Sequence, residues 1–438
     1  MPFPISPFDE SFKTEVLISL KDTSATPTLY KELESTLQWL CRAPTVTSFR
    51  INTRKANKEL VKNLIQTQNR ALGYKIIANS SLSEDIIILK HLKIDISSMN
   101  KFPKEVIVDV DCAAALLRGA HIYAPGVMAM VSGTQIGDHV SVYVDLSKKC
   151  RKGFLKIYSD DTKVFIGNGL VKMSRDLLFG PDFSPKGIAV EMTEVTSGSP
   201  QLGNFLPEGY ALLQNLPSIF CVELLSPRRG EKVLDMCAAP GHKTTHIATL
   251  MENQGTLIAI DKTPNKVLQL RNTCQVFGAE VLVFQADSTK IFSHSTTSGC
   301  IGEGPPFLPE TFQRILLDAP CSALGKRPQF RNTTSEKVIR SYVPLQRKLL
   351  ATAVGLLRPK GRLVYSTCTI TLGENEGVVS WALKTFDCLE LVKPEKSYGE
   401  AGWTGTGLSE EERTKVQRFG PDGQVDSVGF FMACFTKK

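Results

Sequence analysis

The sequence predicts an α/β chain whose second half forms a doubly wound, Rossmann-like parallel sheet, preceded by a small β-barrel and an N-terminal α+β segment. Three observations predict this. From residue 196 to 438, runs of β-branched and large apolar residues alternate with amphipathic stretches. Between 105 and 195 the runs are shorter, and glycines sit at or between their ends. In residues 1–104, helical periodicity surrounds one extended stretch.

The elements follow in order. Leu29–Trp39 carries apolar residues at helical spacing, Phe49-Arg50-Ile51-Asn52 is extended, and Lys58–Thr67 is amphipathic. This first segment is expected to be RRM-like, and Lys101-Phe102-Pro103 ends it. Barrel strands are expected at Val106–Val110, His121–Tyr123, His139–Asp145, Lys163–Ile166 and Gly187–Met192. Thr196-Ser197-Gly198-Ser199-Pro200 is a linker or loop. The parallel strands are Lys232–Met236, Thr256–Ile260, Glu280–Gln285, Arg314–Leu317 and Arg362–Tyr365, with helices at Lys243–Met251 and Asn265–Val276.

A chain of 438 residues exceeds one ordinary core, so several domains are expected. Its net charge of +8 suits a polyanionic partner, though charge alone does not name one. No secretory signal and no bilayer-spanning run is evident, so no membrane partner is expected. Eleven scattered cysteines without a CxxC pair suggest reduced thiols in a cytosolic or nuclear protein, with neither a disulfide framework nor a metal site; the expectation is a cytoplasmic protein, acting as a monomer.

The chemistry gathers at strand ends. Cys237-Ala238-Ala239-Pro240-Gly241-His242-Lys243 follows an apolar strand and opens a helix, which lets backbone N–H groups approach a ligand. The next strands end in Asp261, Asp287, Asp318-Ala319-Pro320-Cys321-Ser322 and Ser366-Thr367-Cys368-Thr369. Asp261 stands where an acid can accept from a ribose diol. Neither a G-x-G-x-x-G nor a complete P-loop is present, which leaves S-adenosyl-L-methionine as the best nucleotide-like ligand. Two thiols suit covalent catalysis on cytosine: a thiolate adding at C6 turns C5 into an enamine carbon able to take a methyl group. Asp318 is placed to stabilise charge at N3 and the amino group, and the second thiol to help remove the C5 proton. The spacing alone does not rank the thiols.

These motifs resemble the signatures of the Sun-domain RNA cytosine-5 methyltransferases, with further landmarks at Phe49-Arg50-Ile51-Asn52-Thr53, Asn215-Leu216-Pro217-Ser218, Glu374-Asn375-Glu376 and Val428-Gly429-Phe430-Phe431. The resemblance spans nearly the whole chain. It implies that Cys368 is the nucleophile and Cys321 assists release, with Lys243 and Asp318 beside them. It also implies cofactor contacts from Cys237 through Lys243 and from Asp261, Lys266, Asp287 and Asp318. The family usually has glycine where His242 and Ala323 stand, and the stretch between Phe419 and Ser427 looks short. A side chain at 242 either crowds the methionine end of the cofactor or points outward.

Leu116–Gly126, Gly137–Val140 and Val164–Gly169 look like a PUA domain, a barrel that holds structured RNA. A PUA domain ahead of the catalytic core is similar to the sixth branch of the family, which implies tRNA as substrate, with a target cytosine near the 3′ end of the acceptor stem and the barrel on the CCA end. Another RNA with a similar loop and stem is the second option. Candidate RNA contacts are Arg118, Tyr123 and Asn168, with the basic residues Lys148, Lys149, Arg151 and Lys152. The rival readings are a non-catalytic RNA-binding protein that retains the fold, and a small-molecule or protein methyltransferase. Neither explains the thiol pair and the barrel together.

Overall fold

Five strands of the second half pair in parallel, in the order Leu282–Gln285, Thr256–Asp261, Lys232–Asp235, Phe312–Asp318, Leu357–Thr367. Phe430–Lys437 then adds antiparallel, and both Leu389–Leu391 and Val416–Phe419 pair with it. The structure, a computed structural model, describes residues 8, 13, 27–68, 74–77, 85–180, 184–202, 206–295, 301–332, 334–421 and 423–438. Chain order along the sheet reverses between Lys232–Asp235 and Phe312–Asp318. Ligand crevices in open α/β sheets form at such a switch point, outside the carboxyl ends of the strands.

These strands are apolar on both faces because helices cover both. Alternate residues serve opposite cores: Leu316 and Val364 pack with Ile219, Phe220 and Val222 of the helix Leu216–Leu225. Ile315, Leu317, Leu363 and Tyr365 pack with Leu349, Leu350 and Ala353 of the helix Glu336–Leu356. This is the period of two expected of a strand between two layers. The helices His242–Leu250 and Pro264–Phe277 follow the first two strands.

The barrel sheet runs Ile122–Tyr123, Ile188–Val195, Lys163–Val171, His139–Asp145, Glu105–Val108, Val127–Met130. Its end strands are joined through the single turn Ala124–Gly126, so the sheet curls around Val106, Val127, Val140, Val142, Ile166 and Val190. Two expectations change here. The first strand stops at Val108, because Asp109 accepts from Cys112 N at 2.7 Å and caps a helix, Val110–Leu116. Val127–Met130 is an additional strand.

The N-terminal sheet is antiparallel, ordered Ala211–Leu213, Val46–Ile51, Ile86–His91, Tyr74–Ile77, with the helix Lys58–Gln68 packed on it, whereas Leu33, Leu37 and Leu40 of the helix Pro27–Leu40 join the core of the barrel. Its edge strand Ala211–Leu213 comes from beyond the barrel in sequence. The 196–200 stretch leading to it is pinned: Ser199 Oγ donates to Leu117 O at 2.7 Å, and a Cβ on Gly119 (φ +95°) would collide with Pro200 O. Among the described residues, no helix is long and apolar enough to cross a membrane.

Candidate active site

The loop after the first parallel strand is shaped by hydrogen bonds to acids. Gly241 takes φ +104°, and a Cβ there would press on Leu270 and Thr273 of the next helix at 3.0 and 3.2 Å. The helix His242–Leu250 has no side-chain cap, so its first N–H groups point outward as anion donors. Asp261 accepts from Ala239 N at 3.2 Å and Lys262 N at 2.7 Å, holding the Ala238–Pro240 turn against the second strand. Asp287 pairs with Lys262 at 2.9 Å and accepts from Thr289, and these bonds hold its carboxyl down at about 2. Lys266 is exposed on the helix Pro264–Phe277. Asp235 is buried; its Oδ2 accepts from Thr244 Oγ1 at 2.8 Å, whereas Oδ1 meets no partner within the protein. Burial pushes this carboxyl up to about 7.

The two strand-end cysteines meet. Cys321 Sγ lies 3.4 Å from Cys368 Sγ, and Lys243 Nζ lies 2.7 Å from Asp318 Oδ2. Asp318 Oδ1 accepts from Ser366 Oγ at 2.7 Å, which fixes the carboxylate at both ends. Burial opposes the Lys243 charge, but Asp318 outweighs it and holds the ammonium above its ordinary value. The thiols are unequal. The hydrogen bond from Cys321 lowers the Cys368 pKa, with help from Lys243 and Lys326 and against burial and Asp318. Cys321 is pushed well up by the same bond, by burial and by the Glu374 carboxylate. Elsewhere burial pushes Cys41, Cys112, Cys221, Cys274 and Cys434 up to about 12, whereas the surroundings of Cys368 favour its thiolate.

One consequence can be measured directly. With the Cys321 donor removed in Cys321→Ala, the acid limb of Cys368 alkylation by iodoacetamide is expected to move to higher pH. Alkylation follows the thiolate, and losing a donor to the thiolate raises the pKa. A limb that stays in place would show that Cys321 does not stabilise the Cys368 thiolate.

The Glu374-Asn375-Glu376 landmark holds both cysteine loops. Glu374 accepts from Ser322 N at 2.9 Å, Ser322 Oγ at 2.5 Å, Thr371 Oγ1 at 2.8 Å and Gln346 Nε2 at 3.0 Å. Asn375 accepts from Thr367 Oγ1 at 2.5 Å and donates to Thr369 O at 3.0 Å, flanking Cys368 on both sides. Glu376 pairs with the buried Arg418 at 2.8 Å, and Arg418 also donates to Ile370 O at 3.0 Å and covers the Trp403 ring at 3.7 Å. Gly325 donates to Cys368 O at 3.0 Å and accepts from Gly429 N at 2.8 Å; the backbones approach so closely that a Cβ on either glycine would clash. This explains the Val428-Gly429 landmark. Ala323 adopts φ +56°, the left-handed conformation that suits the family's glycine.

A cavity of about 410 Å³ opens beside the Lys243–Asp318 ion pair. Asp235, Cys237–Pro240, His242, Lys243 and Asp318 line one wall, and Ser48, His91, Leu213, Gln214 and Asn215 line the other. His242 thus faces inward. Burial, Lys243 and Arg50 hold its imidazole at about 4, so it is neutral. Asp261, Asp287, Lys266 and the two thiols lie outside this lining. Arg50 and Gln214, which sequence reasoning did not single out as site residues, join the N-terminal sheet to the catalytic helix. Arg50 donates to Gln214 Oε1 at 2.8 Å, Thr245 Oγ1 at 2.8 Å and His242 O at 3.2 Å. The neighbouring landmark residue Asn52 donates to Gly209 O and Phe277 O, both at 2.9 Å.

The expected RNA contacts divide. Arg118 lines the cavity, Tyr123 is 51% exposed, and Lys148, Lys149, Arg151 and Lys152 are exposed, with Lys149 reaching Asp160 at 3.4 Å. Asn168 is a correction. It is buried; its amide donates to Asn100 O at 2.8 Å and Glu194 Oε1 at 2.5 Å and accepts from Ser141 Oγ at 3.0 Å, so it braces the barrel and offers RNA no polar face. Among the described residues, no group of His, Cys, Asp and Glu could hold a metal ion.

The profile of the 16S rRNA methyltransferase RsmB/F family matches residues 222–436. The human tRNA (cytosine(72)-C(5))-methyltransferase NSUN6 is 42% identical over 93% of this chain and 92% of its own. The chain belongs to this family of RNA cytosine-C5 methyltransferases. Another member, the tRNA (cytosine(72)-C(5))-methyltransferase of Pyrococcus horikoshii, is 30% identical over 89% of this chain and 88% of its own. The crystal structure of NSun6 from Pyrococcus horikoshii with the S-adenosylmethionine analogue SFG superposes with a TM-score of 0.76 at 27% identity, covering 99% of both chains. In this methyltransferase, then, the parallel sheet and the barrel before it belong to a fold shared along the whole chain.

Proposed function

We propose that this methyltransferase forms 5-methylcytosine in tRNA, near the 3′ end of the acceptor stem, from S-adenosylmethionine and through a covalent bond between Cys368 and C6. The observation that carries the reading is the thiol pair 3.4 Å apart, with Cys368 poised as thiolate beside the Lys243–Asp318 ion pair. The relatives' names, which specify cytosine 72 of tRNA, support the target. The barrel acts as a PUA domain on the CCA end, and Arg118, Tyr123 and the 148–152 basic run are its contacts. We also propose a monomer working in the cytoplasm; the ten described cysteines are all free, which suits a reducing compartment.

The residues present fit the cofactor. The uncapped helix N-terminus at His242 suits a carboxylate, and Asp235 Oδ1 is a buried acceptor awaiting a donor. Asp261 and Asp287 would hold the nucleoside, and Cys237–Lys243 the amino-acid end. S-adenosylmethionine, when bound, supplies the electrophilic sulfonium methyl that C5 takes up.

The chain's own residues do the rest. Cys368 Sγ bonds to C6 and the C5=C6 electron pair moves onto C5. Asp318, oriented by Lys243 and Ser366, accepts from the amino N–H, and the Lys243 ammonium beside it offsets the negative charge that shifts onto N3. Once Cys368 Sγ is bonded to C6 and no longer accepts from it, Cys321 releases its thiol proton to solvent and, as thiolate, removes the C5 proton; the pair left behind restores C5=C6 and expels the Cys368 thiolate. The test is methyl transfer from labelled S-adenosylmethionine to tRNA transcripts with and without the 3′ CCA. We expect one modified cytosine in the acceptor stem and a marked fall without CCA. Absence of methylation on every tRNA tested would refute the reading.

A further inference from the structure

We infer that Gln214 donates a hydrogen bond to the O2 carbonyl of the target cytosine, with the buried Arg50 as the group that aims it. The inference rests on the cytosine chemistry proposed above and adds a residue to it.

The orientation of the Gln214 amide follows from its partner. Arginine N–H groups can only donate, so the atom 2.8 Å from Arg50 Nε must be the amide oxygen. The amide nitrogen is therefore turned the other way. That nitrogen is buried and meets no acceptor within the protein, while Gln214 lines the cavity that Lys243 and Asp318 also line. Its backbone cannot drift, because Gln214 N donates to Ser48 O at 3.1 Å and Ser48 Oγ donates to Gln214 O at 2.5 Å. A buried donor left unpaired is destabilising, so a fold that clamps one from three directions needs a ligand to explain it.

The ligand needs an oxygen acceptor, and the target base has one. When Cys368 adds to C6, negative charge spreads onto N3 and O2. Asp318 accepts from the amino group and Lys243 faces the charge at N3, which leaves O2 for a neutral donor. A hydrogen bond there strengthens as charge builds, which makes it a contribution to the transition state rather than to ground-state binding. A cofactor carboxylate is the other oxygen acceptor that chemistry allows in this cavity, and the experiment separates the two.

Gln214→Glu keeps an oxygen for Arg50 and exchanges the donor for a second carboxylate oxygen whose charge Arg50 offsets, so the fold is expected to survive, as thermal melting will show. Single-turnover methylation of a cytosine tRNA is expected to fall about 10²-fold, with S-adenosylmethionine affinity by calorimetry unchanged within about twofold. In the wild type, 2-thiocytosine at the target position, whose sulfur is a poor acceptor, should reproduce most of that loss. In Gln214→Glu the same sulfur should add little. Wild-type methylation of the 2-thio substrate at the full rate overturns the inference without any variant. So does a loss confined to S-adenosylmethionine affinity, which would assign the donor to the cofactor. Wild-type protein inactive on all cytosine RNA would instead refute the function proposed above.

Discussion

Cys368→Ala is expected to lower methyl transfer by about 10⁴-fold or more, because the covalent route is lost outright. It should also abolish the denaturation-resistant adduct that the wild type forms with RNA carrying 5-azacytidine at the target. Cys321→Ala is expected to fail differently. Its Cys368 can still bond to C6, although the thiolate is less favoured without the Cys321 donor. The C5 proton then has no base to leave to, and the protein accumulates on ordinary RNA as a slow band on a denaturing gel. Normal turnover by Cys321→Ala would sink the release role. An adduct surviving in Cys368→Ala would transfer the nucleophile to Cys321.

The second large effect is on stability. Arg418 and Glu376 are both buried and joined by two hydrogen bonds at 2.8 and 2.9 Å, and Arg418 further braces Ile370 O. Removing one partner leaves an uncompensated buried charge, which costs about 3–5 kcal/mol. Arg418→Met is therefore expected to lower the unfolding free energy by that amount, read in urea as a lower midpoint at unchanged slope. The double change Arg418→Met with Glu376→Gln should recover a large part, because no charge is stranded. Because Ile370 closely follows Cys368, the single variant should also lose adduct formation at temperatures where it remains folded. A single variant as stable as wild type would show that the pair is not needed to hold this loop.

Much of the site was legible because a parallel sheet concentrates chemistry at one place in each strand–helix repeat. Asp261, Asp287, Asp318 and Cys368 each close or follow an apolar run, so their common address follows from position alone. What could not be read has particular causes. Leu216–Leu225 is apolar nearly all round, since it lies between the sheet and its neighbours, and therefore shows no amphipathic period. Glu336–Leu356 contains Pro344, which argues against a helix locally while 21 residues of tertiary packing support it. Asn168 sits between two glycines, a pattern that suggests an exposed turn, yet it lies inside a strand where its amide ties three elements together. Arg50 and Gln214 are 164 residues apart, so no local pattern could join them.

The edge strand Ala211–Leu213 has a consequence for how the chain can be cut. The sheet begun by Val46–Ile51 is completed only after the barrel has been traversed, so the barrel is an insertion within that unit rather than a bead on a string. A catalytic fragment starting at residue 196 would carry a strand without its partners and would strip Arg50 from the helix at His242. Excision of the barrel, with a short splice joining the flanking segments, would leave both sheets whole. The architecture thus permits the barrel to be exchanged while both sheets stay in place.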